Sequence, residues 1–211
     1  MLDHGSTGAE VGYNPSIMKK IYSVILLALA LSAAAADEPK KPADFKGAAT
    51  MCNGTYALCI KAPCDKAKEK NSHAPCECVI QTGWNMGPNS CDERAQKLTS
   101  TYSNNFNNGS RTVSCPKPTT PWAWCYGASC VKDPKHPNTL ATCNCPIKTT
   151  PTVILTAAEK CPQHDQICSQ LWSGALPAES KFANDYYYWW MTKNGHPSEK
   201  PADACSPTPG K

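Results

Sequence analysis

The sequence predicts a small disulfide-rich fold: two tandem six-cysteine modules of short strands and turns, each followed by a short helix, plus a C-terminal aromatic helix. Three observations carry this. The chain of 211 residues holds 14 cysteines, an even number, and all of them lie beyond position 51. No Cys-x-x-Cys occurs, which removes the usual zinc ribbon, the thioredoxin-type redox pair and the haem-attachment motif. The cysteine spacing also repeats. With 19 prolines and few long aliphatic runs, an ordinary core is thin. Cross-links, each contributing about 2–4 kcal/mol, are expected to supply much of the stability.

The N-terminal part reads as a targeting segment. Lys19 and Lys20 precede an apolar run from Ile21 to Leu31, and small residues from Ser32 to Ala36 follow. A basic start, a short apolar middle and an Ala-x-Ala end form a secretory signal over 18–36, cleaved after Ala35 or Ala36. The run falls short of the about 20 residues that a membrane span needs. No cysteine lies near the cut to take a lipid, so no stable membrane anchor is expected after cleavage. Residues 1–17 are polar and aperiodic and read as a non-native or disordered extension. Residues 37–48 read as a polar linker. Export delivers the cysteines to an oxidising compartment, extracellular or periplasmic, where thiols pair.

The first module spans 49–110, with Cys52, Cys59, Cys64, Cys76, Cys78 and Cys91. The second spans 111–176, with Cys115, Cys125, Cys130, Cys143, Cys145 and Cys161. The intervening residues number 6, 4, 11, 1, 12 and 9, 4, 12, 1, 15. Neighbours agree as well: Tyr56-Ala57-Leu58-Cys59 matches Trp122-Ala123-Trp124-Cys125, and Cys76-Glu77-Cys78 matches Cys143-Asn144-Cys145. Self-similarity of spacing and side chain together marks a repeated unit. In a strand, alternate residues share a face, so both cysteines of each Cys-x-Cys point one way and need no metal to explain them.

Helix signals close each unit. Ser90 and Glu93 make a capping box, after which Ala95, Leu98 and Tyr102 recur at helical spacing. Pro162 suits a first helical turn, and Ile167 and Leu171 lie one turn apart. Ser103 to Ser110, rich in Asn and Gly, reads as an exposed loop between the modules. A third helix is expected over 177–195. Pro177 and Glu179 suit its start and Gly195 its end, with Phe182, Tyr186, Trp189 and Lys193 at steps of four, three and four. The tail, 196–211, is proline-rich.

The six-cysteine spacing of the first unit, with one residue between its fourth and fifth cysteines and Gly83-Trp84 beyond, resembles epidermal-growth-factor-like modules. That resemblance covers about 40 residues per copy and implies bridges Cys52–Cys64, Cys59–Cys76 and Cys78–Cys91. Ala48-Ala49-Thr50-Met51 stands where the family carries its acidic calcium ligands, so no calcium site is implied. Setting aside the twelve repeat cysteines leaves Cys168 and Cys205. A bridge between these two is expected to fasten the tail, the rival being that Cys205 pairs with another chain.

For function, the net charge of +4 is thinly spread, which reads as a solvated surface and not a nucleic-acid footprint. No cofactor or metal is expected. His73 and His136 occupy matching places between third and fourth cysteines and pose a paired site, or else are exposed loop residues beside Pro75 and Pro137. His164-Asp165 sits where adjacent helical side chains do not face each other. No Gly-x-Ser-x-Gly, His-Glu-x-x-His or phosphate loop is present. Asn53-Gly54-Thr55 and Asn108-Gly109-Ser110 are glycosylation acceptors if the host is eukaryotic. The aromatics carry the functional signal: Trp122, Trp124 and Tyr126 near one module, and the run that includes Tyr187, Tyr188 and Trp190 in the last helix. Exposed, such rings anchor protein interfaces or stack on sugars; buried, they are the core of a chain poor in Leu, Ile and Phe. The expectation is a secreted or periplasmic binding or structural protein that recognises a protein or glycan through exposed aromatics. The alternative is a secreted hydrolase whose site is scattered beyond motif recognition.

Overall fold

A computed structural model of the chain describes residues 49–104, 111–116, 121–150, 152–157, 161, 164–197 and 203–205. The extension, signal segment and linker expected over 1–48 lie outside these residues, as does most of the tail. The strands are β1 Thr50–Leu58, β2 His73–Gly87, β3 Arg111–Pro116, β4 Trp122–Ala123, β5 Cys130–Lys132, β6 Leu140–Lys148, β7 Thr152–Ala157 and β8 Asp203–Ala204. The helices are α1 Cys91–Gln96, α2 His164–Cys168 and α3 Pro177–Lys193. One sheet runs β1-β2-β6-β4, with β5 also on β6; the other runs β7-β3-β8. The protein is thus small, strand-rich and disulfide-rich, with a C-terminal helix.

The Cys-x-Cys pairs sit as strand alternation requires. Cys76 and Cys78 on β2, and Cys143 and Cys145 on β6, are all buried, while Glu77 and Asn144 between them are exposed. β2 and β6 pair antiparallel with Cys76 opposite Cys143, Ala74 opposite Cys145 and Cys78 opposite Ala141. The fourth cysteine of one set therefore meets the fourth of the other across a local twofold axis. Alanine opposite the remaining cysteines leaves room for sulfur. The central core is built from these cystines together with Ala57, Ala62, Ala123 and Ala141. Few large aliphatic side chains are needed.

All fourteen cysteines are paired, in seven bridges. The pairing implied by the growth-factor resemblance is overturned. The bridges of the first set are nested: Cys52–Cys91 outermost, Cys59–Cys78 inside it and Cys64–Cys76 innermost. The cause is the β1–β2 hairpin, whose register sets Leu58 opposite Val79 and so brings the adjoining Cys59 beside Cys78, with Cα atoms 4.6 Å apart. The second set nests alike, as Cys125–Cys145 around Cys130–Cys143. Its outer bridge, however, is Cys115–Cys168, and Cys161 pairs with Cys205. The expected Cys168–Cys205 bridge is therefore also overturned. Cys168 packs from α2 onto buried Cys115 with Val113, Trp122, Val153 and Leu155. Cys205 is held near the opposite edge of β3, where its N–H donates to Thr112 O at 2.8 Å beside the parallel β3–β8 pairing.

Helix starts follow the sequence more closely than helix ends. The Ser90–Glu93 capping box forms, with Ser90 Oγ accepting from Glu93 N and Glu93 Oε2 accepting from Ser90 N. Yet α1 stops at Gln96, so Leu98 and Tyr102 are not helical, and α2 stops at Cys168, short of Leu171. In both cases the following backbone is taken by tertiary hydrogen bonds. Ala57 donates to Thr99 O and accepts from Thr101 N, just as Ala123 donates to Trp172 O and accepts from Gly174 N. Ser100 N then donates across to Ala128 O, and Ser173 N to Ala62 O. Each segment is stitched to both cysteine sets. Ser103 and Asn104, expected in an exposed loop, are fully buried, with Ser103 Oγ accepting from the Tyr56 hydroxyl at 2.7 Å. Residues 105–110 lie outside the described ones. α3 begins at Pro177, with Glu179 Oε2 accepting from Leu176 N. It closes on Gly195 at φ +70°, where His196 N donates to Met191 O and Gly195 N to Thr192 O.

Candidate functional site

α3 docks through Tyr187 and Met191, both buried against Met86. The Tyr187 hydroxyl donates to Trp84 O at 2.9 Å, and Tyr102 meets the Tyr187 ring edge-on. Burial pushes the Tyr102, Tyr126 and Tyr187 hydroxyls well above the ordinary tyrosine pKa, so all three are neutral donors. Tyr187 therefore belongs to the scaffold. So does Trp122, which is buried with its indole N–H on Thr150 Oγ1. Trp124, Tyr126, Tyr188 and Trp190 are partly exposed.

Two aromatic assemblies result. Along α3, Phe182, Tyr186 and Trp189 form a row with centroid spacings of 5.3 and 5.6 Å, and Lys193 Nζ lies 5.6 Å from the Trp189 ring centre. Beside it, Trp190 packs on Trp84 at 4.7 Å, and His196 lies against both rings. The second assembly is a cleft of about 520 Å³. Segments of both cysteine sets line it, among them Cys59 and Cys125, Met86 and Ile154, and Ser100 and Ser173. Trp124, Tyr126 and Tyr102 line it, and α3 covers one side with Glu179, Ser180, Phe182 and Asn184. Sequence reasoning identified Trp124 and Tyr126. It placed Tyr102 on a helix and missed the cleft role of Phe182, because the cleft is assembled from segments remote in the chain.

Behind the cleft residue Thr101 lies Arg94, an unusual buried cation. Its Nη1 donates to Asn85 Oδ1 and its Nη2 to Thr50 O, while Nε has no partner. Burial pushes its pKa down, partly offset by nearby Tyr126. Thr101 Oγ1 donates to the same Asn85 oxygen.

The histidines do not assemble. His73 lies opposite Pro146, and His136 lies beyond Leu140 at the other end of the β2–β6 pair, roughly 20 Å away. His136, itself exposed, instead pairs with half-buried Asp133 at 3.3 Å. The side chains of His164 and Asp165 lie outside the described ones. Two groups of three sulfurs, Cys59 with Cys78 and Cys143, and Cys59 with Cys125 and Cys145, crowd together, but each sulfur is committed to a disulfide and supplies no thiolate ligand. No helix among the described residues is long and apolar enough to cross a membrane. Seven disulfides fit an oxidising, extracellular-type environment. Comparison of the chain with protein-family models, curated proteins and solved structures found no match.

Proposed function

We propose that the chain is an exported binding protein, delivered by the signal segment 18–36, that recognises a protein or a glycan through aromatic rings on α3. The observation that carries this reading is the half-buried row Phe182–Tyr186–Trp189 with its neighbours Tyr188 and Trp190. Along a helix, positions i, i+4 and i+7 hold three rings in line over about 10 Å, enough for an extended partner to cross. Tyrosine and tryptophan give large contact area at low entropic cost, which suits recognition. The rigid disulfide body presents these rings without ordering on binding. The hydrolase reading draws no support from the cleft, where the one lining carboxylate among the described residues, Glu179, caps its own helix.

We also read the two cysteine sets as two copies of one module. Supporting this are the matched nesting of the bridges, the matched backbone bonds at Ala57 and Ala123, and the twofold pairing of Cys76 with Cys143. On this reading Cys168 holds the sixth position of the second copy, and Cys161–Cys205 is an addition.

The test is binding of the oxidised protein to arrayed oligosaccharides and to secreted proteins of its own host, with Tyr186→Ala and Trp189→Ala compared. Loss of an aromatic contact should weaken a specific interaction by about tenfold or more. Binding that both variants leave unchanged would refute the assignment of the surface.

A further inference from the structure

We propose that the cleft between the two cysteine sets is a separate site for a free small molecule that is uncharged, largely apolar and ring-bearing. Its size comes first. At about 520 Å³ it exceeds the space of a single side chain and falls within the about 300–1,000 Å³ typical of small organic ligands. The second point is the state of its polar groups. Most are already engaged inside the protein: Thr101 Oγ1 with Asn85, Asn184 Nδ2 with Ser180 O, and Ser173 Oγ with Ala62 N and Cys59 O. The Tyr102 hydroxyl is engaged by the Asn104 and Asn184 side chains, donating its one proton to one of them.

What remains among the described residues is the Tyr126 hydroxyl, held neutral by burial, with the Ser100, Ser180 and Thr156 hydroxyls and the Trp124 indole N–H. A sugar ring brings several hydroxyls, each of which loses water on entry and needs a partner. Single groups of this kind, four hydroxyls and one indole N–H among mostly apolar lining residues, suit a ligand with one or two polar atoms better than a chain of sugars. The third point is charge. Among the described residues no lysine, arginine or histidine lines the cleft, and the Glu179 carboxylate is turned to Leu176 N, so none of them balances an anion. The indole and phenol rings among the lining residues favour a flat or cyclic apolar body.

The experiment uses N-phenyl-1-naphthylamine, a neutral aromatic probe whose emission rises in apolar surroundings, titrated into the oxidised protein. One saturable site is expected. Ser180→Phe projects a ring from α3 into the cleft and removes a hydroxyl that bonds nothing among the described residues, so it should weaken the probe by about tenfold or more. Val131→Ser, on an exposed strand position remote from the cleft, should leave it unchanged. Near-ultraviolet dichroism confirms that each variant is folded, and Ala183→Leu provides a second filling change if Ser180→Phe is not. A linear hexasaccharide and an apolar tripeptide amide should fail to displace the probe. Absence of saturable binding, or binding that filling the cleft leaves unchanged, would overturn the site. Displacement by the hexasaccharide or the peptide would overturn the ligand class while leaving the cleft as a site.

Discussion

Gly87 should be intolerant of a side chain because a buried arginine lies where its Cβ would stand. A Cβ built there meets Arg94 Nη1 at 2.2 Å and Thr101 Cγ2 at 2.7 Å. The φ of Gly87 is not in the left-handed region, so the backbone accepts alanine and the cost is steric. Displacing the guanidinium by an ångström strains a packed site, worth about 1–3 kcal/mol. It also disrupts a charge-assisted hydrogen bond to Asn85 Oδ1 or Thr50 O, worth about 1.5–3 kcal/mol. The reduced freedom of the unfolded chain returns only about 0.4–1 kcal/mol. Gly87→Ala should therefore destabilise by about 3 kcal/mol. Arg94→Met removes a cation whose Nε is already unpartnered, and Asn85 Oδ1 keeps its bond from Thr101, so its own effect should stay within about 1 kcal/mol. In that background the guanidinium no longer blocks the alanine and only the Thr101 methyl has to shift, so the coupling between the two changes should be about 2 kcal/mol. Urea unfolding of the oxidised protein, followed by tryptophan fluorescence, measures all four species; the midpoint should fall by about 1.5 M for Gly87→Ala at constant slope. A Gly87→Ala protein within 0.5 kcal/mol of the parent, or strict additivity in the double variant, would refute the reasoning.

Other outcomes follow from the same structure. Cys161→Ser should expose the thiol of Cys205 alone and leave Cys115–Cys168 intact by peptide mapping, whereas a Cys168–Cys205 peptide would contradict the fold. Removing Cys115–Cys168, whose residues are 53 apart, should cost roughly 4 kcal/mol by chain entropy in a thermal or urea melt. Tyr187→Phe strips the donor from Trp84 O and should cost about 1 kcal/mol, while Tyr188→Phe, on a partly exposed ring, should be neutral in the same assay. Stability should fall with alkali. Below about pH 10 the buried hydroxyls of Tyr56, Tyr102, Tyr126 and Tyr187 are neutral in both states and contribute no pH dependence. Above it the unfolded chain releases protons that the folded chain, with its raised pKa values, retains, so the equilibrium shifts toward unfolding. With no free thiol to start disulfide exchange, urea midpoints between pH 9 and 12 report this directly, and a flat profile would contradict the burial of those hydroxyls.

What the sequence determined by itself was local. Cysteines alternating with Glu77 and Asn144 had to share a strand face, and they do, because the side-chain period of a strand is independent of what lies opposite. Ser90 with Glu93, and Pro177 with Glu179 and Gly195, set helix starts and one helix end through groups three or four residues away. The even cysteine count and the missing Cys-x-x-Cys were enough for a fully bridged protein. The tertiary structure decided everything that depended on which remote segments meet. Counting along the chain assigns Cys161 to the second set, but the position facing Cys115 is filled by Cys168 from α2. Helical spacing continues through Leu98 and Leu171, but backbone pairing with Ala57, Ala62, Ala123 and Ala128 ends both helices, because those hydrogen bonds satisfy buried backbone that a longer helix would leave unpaired. An aromatic run likewise says nothing about which ring turns inward. Tyr187 is core and Tyr188 is not, because only the former lies over Met86 and within reach of Trp84 O. The cleft was illegible for the same reason: its walls come from both cysteine sets and α3, and no short-range pattern records that they converge.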